Sequence, residues 1–226
     1  MSSAAARVAY EHGVGGRYYG GSRRPHILRN WCWLPLLSTA LGFATIASTY
    51  VWSTTDGKEV PWLPTISDTG AERPESSLFT LGLTLFGGAA ALTMFVMYRW
   101  LADEALRQDA SGHVRRAAFA FLVTGWLSVL GVCVLSTFQV RDFTKWIHNV
   151  AAMLAFLFGA VQQGVLVVMQ RRLGVSRATW WLRAPLFGIT VVAMVGFYVL
   201  LVPFHMLKLV PSFNGLPWAA LCEYIM

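Results

Sequence analysis

Five stretches of about 20 apolar residues, each without a single Asp, Glu, Lys or Arg, limit this chain more than any other feature. They run over Trp31 to Trp52, Leu78 to Tyr98, Ala117 to Phe138, Ile147 to Met169 and Ala184 to Phe204. A helix of about 20 residues is what crosses roughly 30 Å of hydrocarbon, and a water-soluble core has no place for five of them. Composition agrees: only 13% of residues are charged, against about 25% in soluble domains. The fold class is therefore all-α, a polytopic transmembrane helical bundle with five complete spans. A sixth apolar block starts at Leu216 and stops at Met226. It is long enough for the start of a sixth span only, so the sequence is expected to continue past Met226.

Charge organises the rest. Residues 1–30 form a basic tail rich in Gly and Arg, with five arginines and Glu11 as its single acid. It contains no apolar run, so it is not a secretory signal; its composition is that of a mitochondrial transit peptide in outline only. Thirteen basic residues fall on the side of the tail, the second loop and the fourth loop, and five on the other. Lys and Arg resist translocation, which puts the N-terminus on the cytoplasmic (or matrix) side. Topology thus accounts for a net charge of +7, and no nucleic-acid partner is expected. Cys32, Cys133 and Cys222 lie one to a block, without the spacing of a disulfide framework or a zinc site. No cofactor and no metal is expected.

The second unit, residues 31–226, is the bundle, with a structured exoplasmic loop over residues 53–77. Pro61, Pro64 and Pro74 fix φ and argue against a helix there, while Asp68-Thr69-Gly70 signals a turn: an Asx-type bond followed by a residue that tolerates positive φ. Ser76 or Ser77 is expected to cap the second span. The loop holds five acids against two bases.

That loop, with Pro64, Ile66, Ser67, Asp68, Thr69 and Gly70 followed by Pro74, Glu75 and Phe79, resembles the loop motif of the DRAM/Sfk family of six-span membrane proteins. Phe138-Gln139, His148 and Glu223 follow in the family's order, so the likeness covers about Trp31 to Met226. The basic tail and the short sixth block depart from the family pattern. The resemblance implies a non-catalytic scaffold or a lipid-associated accessory protein, acting in autophagy at lysosomal or other endomembranes, or at the plasma membrane. A second reading is an accessory subunit of a large complex, such as a respiratory one in the mitochondrial inner membrane, that holds the N-terminal tail; a third is a lipid-remodelling enzyme. Membrane lipids and protein partners within the membrane are expected in each case.

Polar residues at membrane depth must find partners, because desolvating them costs several kcal/mol. Asp68, Asp142, His148, His205 and Glu223 all fall at exoplasmic span ends and could form one polar cluster. The expected role is mutual hydrogen bonding; two histidines on different spans do not make a metal or hydrolytic centre, and no catalytic residue is assigned. On the other side, Arg115, Arg116, Arg171 and Arg172 are candidates for anionic lipid headgroups. Gly125 and Gly131 in the third span, and Gly87 and Gly88 in the second, permit close helix approach.

Overall fold

A computed structural model describes residues 31–59, 64–108, 112–140, 143–174, 177–201 and 216–225. Expectations for the tail, and for Asp142 and His205, lie outside these residues. Seven helices and no strand occur among them: α1 (Leu34–Thr55), α2 (Ile66–Thr69), α3 (Glu75–Arg107), α4 (Gly112–Thr137), α5 (Lys145–Arg172), α6 (Arg177–Leu201) and α7 (Leu216–Ile225). Five of these, α1 and α3 to α6, are long and apolar enough to cross a membrane. The chain is an integral membrane protein.

The helices outrun the apolar blocks. α3 has 33 residues where 21 apolar ones stand in the sequence, about 50 Å of helix at 1.5 Å per residue. Hydropathy reports only the part that needs hydrocarbon, whereas the backbone ladder continues into the polar interface at both ends. Pro185 accordingly lies inside α6, not at its end. Nor do Ser76 and Ser77 cap the second span. α3 begins at Glu75 with Pro74 at the N-cap and no side-chain cap, and both serines are already helical.

Packing follows chain order: α1 lies on α3, α3 on α4, α4 on α5, α5 on α6 and α6 on α7. α2 then touches both α1 and α7, so this single helical turn connects the first spanning helix to the last helix described. α1 buries Leu34, Ser38, Gly42, Thr45, Thr49 and Ser53, spaced three or four apart and therefore on one face, with Gly42 against Phe86 and Thr45 against Gly82 of α3. Its hydroxyls bond back to carbonyls of their own helix, as Thr45 does to Leu41 O at 2.7 Å. The buried hydroxyls of α1, on Ser38, Thr45, Thr49 and Ser53, thus pack without unpaired donors.

The backbones of α4 and α5 come close together at Gly131. A Cβ built on Gly131 would lie 2.7 Å from the Ala155 nitrogen and 2.8 Å from the Ala151 oxygen. Only a glycine lets the two backbones meet this closely. Ser128 Oγ donates to Ala155 O across the same seam at 2.8 Å.

Two apolar clusters mark the two ends of the bundle. Phe79, Leu83, Leu135, Ala151 and Ala155 form one, with Ile66 of α2 against it. The other joins Leu101, Ala105, Val114, Ala118, Phe121, Met169 and Leu173. Arg115 and Arg116 on the first turn of α4, and Arg171 and Arg172 on the last turn of α5, surround the second cluster and are exposed. The α2 turn and the double-arginine segments are therefore at opposite ends.

Candidate functional site

The prolines do not keep the loop free of helix, because Pro64 precedes the helical turn and Pro74 follows it. Thr65 starts α2 in an extended conformation, and its Oγ1 accepts the Asp68 N–H at 3.1 Å. The same hydroxyl donates to Asp68 Oδ2 at 2.6 Å. This is a variant of the reciprocal Ser/Thr-x-x-acid cap, and Thr65-Ile66-Ser67-Asp68 carried that signature in the sequence. Asp68 is therefore held by the cap rather than by an Asx-type bond.

Gly70 is required for space, not for backbone sign. Its φ is −106°, an ordinary value, but any Cβ there would collide with the Phe79 ring, which is 1% exposed. Thr69 is buried and its Oγ1 lies 3.4 Å from Thr49 Oγ1 of α1. Glu75, 1% exposed, takes both carboxylate oxygens to Lys58 Nζ at 2.7 and 2.8 Å, and Lys58 also donates to Arg73 O at 2.9 Å. Through Lys58 the stretch after α1 is fastened to the start of α3. The Glu75 carboxylate raises the Lys58 ammonium above its ordinary value, mainly through this hydrogen bond. Glu59 is also raised, first by burial and then by the negative charge of Asp68 and Glu72.

The polar residues meet at Ser67. Glu223 of α7 is 7% exposed; its Oε2 accepts the Ile66 N–H at 2.9 Å and its Oε1 lies in hydrogen-bond contact with Ser67 Oγ at 3.1 Å. His148 of α5 is 3% exposed, with Nε2 2.9 Å from Ser67 Oγ. Its Nδ1 faces Leu135 O at 2.9 Å and Phe138 O at 2.8 Å, where α4 ends. The structure thus brings His148 and Glu223 together with the α2 turn, and Asp68 acts on both through its charge. Ser67 itself was named only as a motif residue; nothing in the sequence marked it as the centre, because hydroxyls are common in these helices.

In Ser-His hydrolases the carboxylate orients the imidazole through Nδ1. Here two carbonyls hold Nδ1 and the carboxylate occupies the other side of the hydroxyl. This arrangement joins the ends of α2, α4, α5 and α7, and leaves Ser67 Oγ engaged on both sides. Among the described residues, no group of three His, Cys, Asp or Glu side chains is placed to hold a metal ion.

At the other end, Arg171 lies over the Trp180 ring at 5.7 Å, joining α5 to α6, and Gln108 donates to Leu173 O at 3.0 Å. Arg115, Arg116 and Arg172 remain exposed around this end.

The family model of the Frag1/DRAM/Sfk1/Cwh43P N-terminal domain matches residues 30–226, which include every group of the Ser67 cluster. The chain belongs to this family. It is 29% identical over 136 residues to DNA damage-regulated autophagy modulator protein 1 of Homo sapiens, covering 59% of this chain and 55% of that protein. With DNA damage-regulated autophagy modulator protein 2 of Mus musculus it shares 30% identity over 153 residues, 66% of this chain and 56% of the relative. The Xenopus laevis protein 1 aligns over 213 residues at 25% identity, 86% of this chain and 85% of the relative. The chain thus spans a little over half the length of the mammalian relatives it matches. No solved structure matches the chain.

Proposed function

We propose that this protein is a non-catalytic membrane scaffold, a lipid-associated accessory protein of endomembranes that works in autophagy. The observation that carries the reading is the Ser67 cluster, whose side chains bond one another and join four helix ends. Membership in a family with relatives named as autophagy modulators supplies the process. The excess of basic residues on the double-arginine side supports a cytoplasmic placement for that end, and a lumenal one for the Ser67 cluster.

Exposed Arg115, Arg116, Arg171 and Arg172 then face the cytoplasmic leaflet, where each basic residue near an anionic surface contributes about 1 kcal/mol. Protein partners are sought in the membrane around this end. The test uses the full chain purified in mild detergent. Co-purifying membrane proteins, and retention on anionic vesicles that is lost when the four arginines become Gln, are the expected results. Turnover of a lipid ester that Ser67→Ala or His148→Ala abolishes would refute the non-catalytic assignment.

A further inference from the structure

The contacts at Ser67 require one more hydrogen than a neutral imidazole, a hydroxyl and a carboxylate provide. Carbonyl oxygens only accept, so His148 Nδ1, facing Leu135 O and Phe138 O, carries its proton. Two contacts remain, Nε2 to Ser67 Oγ at 2.9 Å and Ser67 Oγ to Glu223 Oε1 at 3.1 Å. Each needs a hydrogen between its heavy atoms, and the serine supplies one. The other belongs to His148 as an imidazolium, with Ser67 donating to an ionised Glu223. Alternatively it belongs to Glu223 as a carboxylic acid, donating to Ser67 while Ser67 donates to a neutral imidazole. Both forms use the same heavy-atom positions, because Oε2 is already taken by the Ile66 N–H at 2.9 Å.

We infer that Ser67, His148 and Glu223 form a proton-binding site whose single exchangeable proton completes the hydrogen-bond chain fastening α7 to α2 and α5. With the proton bound, the three groups are neutral in sum. Without it, a buried negative charge remains and two acceptors face each other across one hydrogen.

The surroundings do not offset that charge. Asp68 of α2 is itself acidic and acts on both His148 and Glu223. Tyr224 of α7 couples to Glu223 and to Tyr50 of α1. From the loop, Glu59 faces Asp68 and Glu72, while Lys58 is taken by Glu75 of α3 and by Asp56. Lys145 stands on the first turn of α5, and His148 meets α4 through main-chain carbonyls. A proton is therefore the cation this site takes, and its loss loosens the junction between α7 and the rest of the bundle.

The full chain in lipid bilayers decides the matter. Nitrogen-15 NMR is recorded on a variant with His12, His26, His113 and His205 changed to Gln, so that His148 alone reports, together with infrared spectra of the carboxyl region. At neutral pH either a doubly protonated His148 or a carboxylic-acid band absent from Glu223→Gln is expected. A neutral imidazole beside an ionised Glu223 would overturn the assignment.

Thermal unfolding gives an independent readout. Above about pH 6.5 an unfolded chain holds neither proton, so unfolding releases one proton, and its equilibrium constant rises about tenfold per pH unit while the folded site stays loaded. The wild-type midpoint therefore falls between about pH 6.5 and pH 9. Glu223→Gln, whose amide supplies the missing hydrogen covalently, lacks this component. Equal pH dependence in the two proteins would overturn the inference. If Glu223→Gln does not fold, the wild-type spectra decide alone.

Discussion

Gly131→Ala measures how much of the bundle depends on one close approach. The added Cβ would sit 2.7 Å from the Ala155 nitrogen, whereas carbon atoms in favourable contact lie about 3.5 to 4.0 Å from their neighbours. The atoms met are backbone, which cannot rotate away, so α4 and α5 must separate by about 1 Å. Overpacking of this kind costs about 1 to 3 kcal/mol. Stretching the Ser128 to Ala155 O bond, 2.8 Å in the native seam, adds about 0.6 kcal/mol, the average for interhelical hydrogen bonds in a membrane. Alanine's better helix propensity returns roughly 0.5 to 1 kcal/mol. The net expectation is a loss of about 1 to 3 kcal/mol. Gly88→Ala in α3 is the control, since nothing lies within 4 Å of its Cβ position, and it should be neutral or slightly stabilising. Unfolding of both variants in the same mild detergent, titrated with a denaturing detergent, gives the comparison. If Gly131→Ala stays within a few tenths of a kcal/mol of wild type, or Gly88→Ala costs as much, the seam is not as described.

Further measurements address the loop. Lys58→Ala strands the buried Glu75 carboxylate, so its thermal midpoint should drop, and adding Glu75→Gln should recover part of the loss; a double variant worse than the single one contradicts the pairing. Because Lys58 is raised in the folded protein, its contribution is complete below the ordinary lysine range and disappears as pH rises through the raised value. Glu59 works in the opposite sense: raised by burial and by its acidic neighbours, its ionisation opposes folding, so stability falls as pH climbs from its free-chain range through the raised value. Glu59→Gln should therefore raise the midpoint at neutral pH and leave it unchanged below about pH 4; the same gain at both pH values contradicts this account.

The spanning helices were legible because hydrocarbon imposes one length and one composition on each. Their ends were not, since helix continues where apolarity stops, as at Glu75 and Arg107. Gly70 was recognised as a special position, but the reason was a ring nine residues away rather than its own φ. His148 and Glu223 stood out as ionisable groups among apolar residues. Their common partner could not, because Ser67 is 81 residues from one and 156 from the other, and no local pattern records such a meeting. The Thr65-x-x-Asp68 cap is a local pattern, and it starts a helical turn between two prolines because each ring stands outside that turn.

Those separations matter for biogenesis. The α2 turn leaves the ribosome long before α7 is made, so the bilayer must accommodate His148 and Ser67 while their acidic partner is still untranslated. Only when residue 223 arrives can the circle of helices close. A transcript that stops short of α7 would leave this opening permanently unpaired, giving membrane quality control a polar flaw by which to recognise the incomplete product.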